Sequence, residues 1–137
     1  MKDLTILIQG PFFEFENYNS NKNINLLNKV FPEANILIST WEGEDRFKIK
    51  DNYKIIYSKD PGFVHDEHFG SSTPGSNIQR QIESVQNGLK EINTKYTLKI
   101  RSDCYFNSDK ILRLNTEDFK VIEKYSFFDE RIITSSV

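Results

Sequence analysis

Apolar positions along this chain fall into short unbroken runs and into stripes of helical spacing. Leu4 to Gln9 is a nearly continuous apolar run closed by Gly10-Pro11, the pattern of a buried strand ended by a sharp turn. An Asn-rich segment, residues 17–23, leads into Ile24, Leu26, Leu27, Val30 and Phe31, whose spacing predicts one face of a helix stopped by Pro32. Ala34 to Thr40 and Tyr53 to Ser58 read as two further strands, each followed by polar or turn-forming residues. Asp60-Pro61-Gly62 opens a long loop rich in Gly, Ser, His and acidic residues, which ends at Ser76 or Asn77, either suited to cap a helix. That helix carries Ile78, Ile82, Val85, Leu89 and Ile92 at intervals of three and four, and Ile78, Ile82, Val85 and Leu89 are expected to pack into the core. Tyr96 to Ser102 follows as a strand expected at the centre of the sheet. Ser108 to Leu114 predicts a short helix or turn, and Ile132 to Ser136 a last strand.

Strands that alternate with helices through short links predict an α/β fold, a mostly parallel sheet with helices on both faces and right-handed crossovers. At 137 residues, with no repeats and no Pro-rich linker, the chain is expected to form a single domain over residues 1–137. In such sheets ligands bind beyond the carboxyl ends of the strands. Those ends are Gln9-Gly10-Pro11, Ser39-Thr40-Trp41, Ser58-Lys59-Asp60 and Arg101-Ser102-Asp103. The last predicted strand runs to Val137 with nothing after it to cover the sheet, so a further C-terminal part completing a second subsite is expected.

Charge narrows the classes of partner. The formal charge of −2 is spread over interspersed Lys, Asp and Glu, so neither a basic stripe for nucleic acid nor an acidic tail is present. The N-terminus lacks the long apolar core and cleavage site of a signal peptide, and no stretch approaches the roughly 20 apolar residues that span a bilayer. A cytoplasmic location is expected. Cys104 is the single cysteine and excludes an intrachain disulfide; its place beside Asp103 suggests either a nucleophile or an inert, partly buried thiol, and the second is expected.

The densest chemistry lies at 96–103, Tyr-Thr-Leu-Lys-Ile-Arg-Ser-Asp, where alternation places Lys99, Arg101 and Asp103 on one face. Charges on a strand expected to be buried call for each other, a ligand or a metal, so Arg101 and Asp103 are either an internal ion pair or part of a site. Arg80 and Gln81, in the first turn of the long helix, form a solvated face or receive phosphate. Gly10-Pro11 is a turn that also lets a ligand approach backbone closely. Trp41 is core or a stacking surface, and Asp60 either caps its Pro-Gly turn or accepts hydrogen bonds from ribose or uracil. His65, Asp66, Glu67 and His68 are adjacent in a Gly/Ser loop and are expected to be solvated; that loop suits a lid.

Taken in order, several segments resemble the WavE-type lipopolysaccharide synthesis family. They are Ile8-Gln9-Gly10-Pro11, Phe31-Pro32 with Ile38-Ser39-Thr40-Trp41, Asp60-Pro61-Gly62, Asn77 to Ile82 with Asn87-Gly88-Leu89, and Leu98 to Asp103. The chain is also similar to the nucleotide-binding half of GT-A glycosyltransferases, in which a helix precedes a strand ending in Asp-x-Asp. Gly88-Leu89, Tyr96 and Asp103 fall at that spacing, with Arg101 in place of the first aspartate. The resemblance implies a nucleotide-sugar donor, a glycan or lipid-linked acceptor, and peripheral association with the inner face of a membrane. It implies a divalent cation, Mn²⁺ or Mg²⁺, on Asp103, and it departs from the pattern at Arg101. The donor contacts it implies are Gln9, Gly10, Pro11, Thr40, Trp41, Asp60, Arg80, Arg101 and Asp103.

Transfer of a sugar from such a donor requires neutralisation of the diphosphate leaving group, by a carboxylate-held cation or by a guanidinium that contacts phosphate oxygens bidentately. Two other classes share these residues. One is a nucleotidyltransferase, which would need the Gly-rich, Lys-ended loop that is absent after the first strand. The other is a binding module without turnover, which the short chain and Arg101 favour. No general base is assigned from the sequence.

Overall fold

Six residues, Leu4–Gln9, form β1, and all of them are buried, as a strand covered on both faces requires. The computed structural model describes residues 3–15, 19–44, 49, 53–63 and 77–110. Within it β1 is followed by α1 (Ser20–Val30), β2 (Asn35–Trp41), β3 (Lys54–Ser58), α2 (Ile78–Leu89) and β4 (Tyr96–Arg101). The four strands make one sheet in the order β3-β2-β1-β4, and each adjacent pair is parallel. The chain steps from β1 to β2 to β3 in one direction and returns through α2 to β4. Right-handed crossovers therefore set α1 and α2 on opposite faces. This is the expected α/β, Rossmann-like arrangement.

α1 begins four residues before Ile24, because the Asn19 side chain accepts a hydrogen bond from the Lys22 N–H at 3.2 Å and caps it there. Ile24 and Leu27 are buried with Phe31, where Pro32 ends the element. The odd positions of β1 face α2. Leu7 lies under Gly88, and the Ser39 hydroxyl, in register with Gln9, donates to the Ser84 carbonyl at 2.7 Å.

Two expectations about packing are corrected here. α2 does not bury its apolar stripe: Ile78, Ile82 and Leu89 are 61%, 44% and 47% exposed, Val85 is half-buried, and Ser84 and Gly88 are the buried residues. A Cβ on Gly88 would stand 2.5 Å from Leu7 Cδ1, so the helix backbone approaches the sheet through its small residues and turns its branched side chains outward. β4 is not central. Among the described strands it is an edge, and only Ile100 along it is buried, which fits the Thr97, Lys99 and Arg101 alternation.

Met1–Asn107 and Ser108–Val137 form two compact units, and of the second only Ser108–Lys110 are described. The strand expected at Ile132 to Ser136, most of the turn at Ser108 to Leu114, and His65 to His68 lie outside the described residues. Among the described residues no helix is long and apolar enough to cross a membrane.

Candidate functional site

Because the sheet is parallel, the carboxyl ends of its strands share one edge, and the first turn of α2 meets that edge. At the end of β1 Gly10 adopts φ 124°, open to glycine, and its N–H donates to the Ser39 carbonyl at 3.1 Å. The Ser102 N–H donates to the Gln9 carbonyl at 2.8 Å, and a Cβ on Gly10 would meet Ser102 Oγ at 2.5 Å. The β1 and β4 ends are thus held side by side at the floor of a cleft of about 390 Å³.

One wall carries Asp60 and Arg80. The Arg80 Nε and Nη2 donate to the two carboxylate oxygens at 2.6 and 2.5 Å, and the Gly62 N–H donates to Asp60 Oδ1 at 2.9 Å. The Arg80 guanidinium also lies 4.0 Å over the centre of the Phe63 ring. The device is repeated at the end of β4, where Arg101 Nε and Nη2 donate to Asp103 at 2.8 and 2.5 Å. The hydrogen bonds from these arginines hold the Asp60 and Asp103 carboxyls below the ordinary carboxylate range, and each arginine is raised by its aspartate.

Of the residues singled out in the sequence, the cleft brings together Gln9, Gly10, Pro11, Trp41, Asp60, Arg80, Gln81, Arg101 and Asp103. Thr40 is not among its walls. It is fully buried with Oγ1 unpartnered, and strand alternation turns it to the face opposite Ser39 and α2. Cys104, expected to be partly buried, is an exposed free thiol with Sγ 3.7 Å from Asp103 Oδ1.

Phe13, Glu44 and Phe63 also line the cleft and were not identified from the sequence, and Asn77, read there as a helix cap, lines it too. Glu44 follows the β2 end by three residues, so the strand-end rule could have reached it; Oε2 accepts the Phe12 N–H at 2.8 Å. With each arginine matched to an aspartate, Glu44 leaves one formal negative charge in excess among the described residues of the cleft.

A divalent cation on Asp103 would have to displace Arg101. Both Asp103 carboxylate oxygens are engaged by Arg101, and among the described residues no group of three or more His, Cys, Asp or Glu side chains is placed to hold a cation. The arrangement can recognise an anion by guanidinium exchange, or a polar ring between aromatic side chains. No curated protein and no solved structure matches the chain. The model of the WavE lipopolysaccharide synthesis family matches residues 4–137, essentially the whole chain, and the protein belongs to that family and to lipopolysaccharide synthesis.

Proposed function

We propose that the protein is a glycosyltransferase of lipopolysaccharide or surface polysaccharide synthesis and that the cleft takes its nucleotide-sugar donor. The observation that carries this reading is the pair of guanidinium groups, Arg80 and Arg101, that both line a cleft at the carboxyl edge of a parallel sheet. A diphosphate offers both arginines the planar, bidentate acceptor geometry that the aspartates now supply. In the complex the donor diphosphate replaces Asp103 on Arg101, and the guanidinium neutralises charge as the sugar–phosphate bond breaks. The acceptor is a glycan or lipid-linked sugar, met at the inner face of a membrane.

A second reading has its own support in the Arg101–Asp103 pair. A fork that satisfies itself needs no ligand, and it suits a module that binds nucleotide sugar without turnover. A thermal-shift screen of nucleotides and nucleotide sugars on the full chain, with Mn²⁺, Mg²⁺ or chelator, followed by product analysis, separates the outcomes. Stabilisation by a nucleotide sugar with transfer to a glycan acceptor is expected. Stabilisation without transfer supports the module, and no stabilisation by any nucleotide sugar refutes both.

A further inference from the structure

Glu44 differs from the other carboxylates of the cleft in the partner it keeps. Asp60 and Asp103 each close a fork with an arginine, whereas among the described residues Glu44 accepts a single backbone N–H, from Phe12, through Oε2. That bond fixes the carboxylate without cancelling its charge. Gln9 lines the same cleft independently, 6% exposed, with its Oε1 buried and unbonded. A buried amide oxygen with no donor is a standing demand for one. Trp41 and Phe13 add two aromatic side chains to these walls.

The chemistry that meets this set is narrow. A phosphate brings acceptors and negative charge, and both are wrong for Glu44. A vicinal diol brings two O–H donors, which a carboxylate receives as charge-assisted hydrogen bonds, on a ring whose C–H face suits an aromatic wall. We infer that Gln9 and Glu44 form a subsite for the vicinal diol of a sugar ring and that Glu44 is the residue that selects it. The assignment rests on the donor reading, since a nucleotide sugar carries such diols on its ribose and on its transferred sugar. The arginine forks then take the phosphates between them.

Calorimetric titration of the full chain with uridine diphosphate glucose, its 2′-deoxyribose analogue and its 2-deoxyglucose analogue tests the subsite. Loss of the recognised hydroxyl should weaken binding about tenfold, the worth of one hydrogen bond to a charged group. Whichever analogue loses affinity identifies the ring at Glu44. Glu44→Gln keeps an oxygen for the Phe12 N–H and should melt as the wild type does, while its affinity for the parent ligand falls about tenfold and its discrimination against that analogue disappears. Equal losses for the parent and both analogues, or tighter binding by Glu44→Gln, would overturn the subsite. So would tighter binding of the 2-amino-2-deoxyglucose ligand, which would make Glu44 a cation-selective group. If no uridine diphosphate ligand binds, the donor reading fails for that nucleotide alone, and the subsite is judged with methyl ribofuranoside and methyl glucoside by NMR. Shifts at Glu44 and Gln9 that need the diol uphold it, and none overturns it.

Discussion

Arg101 and Asp103 stand two residues apart, and their fork makes this strand end a site of exchange between two acceptors, carboxylate and ligand. Arg101→Lys preserves the charge and removes the planar fork, so affinity for a uridine diphosphate sugar under chelation should fall about tenfold, the loss of one charge-assisted bond. Equal affinities would assign Arg101 to holding the strand end only. The same pair carries a pH dependence. Hydrogen bonds from Arg101 lower the Asp103 carboxyl below its ordinary value of 3.8, so its contribution to stability is fully present above that value and is lost as pH falls through the folded one. Both side chains are well exposed, which keeps that contribution small. Carboxyl NMR should record Asp103 titrating below 3.8 in the wild type and returning toward it in Arg101→Ala; no change would remove the fork from solution. The charges at 101 and 103 were legible in the sequence because alternation sets them on one side. Their mutual pairing was not, since the choice between partner and ligand is made by rotamers.

At the scale of elements, α2 shows what periodicity conveys and what it withholds. The spacing of Ile78, Ile82, Val85 and Leu89 established a helix, yet a stripe says which residues share a face and not which neighbour that face meets. The contact was decided by Ser84 and Gly88, whose small size permits an approach that branched side chains would block. Two substitutions measured by chemical denaturation distinguish the packings. Leu89→Ala, a change that costs roughly 2 to 5 kcal/mol in a core, should stay within about 0.5 kcal/mol. Gly88→Ala should instead destabilise by about 1 kcal/mol: overpacking against the fully buried Leu7 costs roughly 1 to 3 kcal/mol, and the better helix former recovers about 1. A neutral Gly88→Ala with a costly Leu89→Ala would restore the buried stripe.

For the whole molecule, the alternation of strands and helices was enough to give the parallel sheet and the edge where its carboxyl ends gather, and most of the cleft follows from that edge. The place of β4 did not follow, because a single chain segment does not state how many neighbours it has; its polar alternation fits an edge among the described strands. A ligand seated on that edge touches three strands and α2, so its binding should stabilise the fold cooperatively. A nucleotide sugar at a hundredfold excess over its Kd should add about 2.7 kcal/mol and move the melting midpoint upward by several degrees. An unchanged midpoint at saturation would mean the ligand sits elsewhere. The strand order has a consequence for biosynthesis. β1 is made first and lies in the middle, and its pairing with β4 joins residues about 90 positions apart. At ribosomal speeds of about 5–20 residues per second, one side of an uncharged, β-rich hexapeptide waits roughly 5 to 18 s for its neighbour. The nascent chain is most prone to aggregate in that interval, and a chaperone that shields β1 would protect it most.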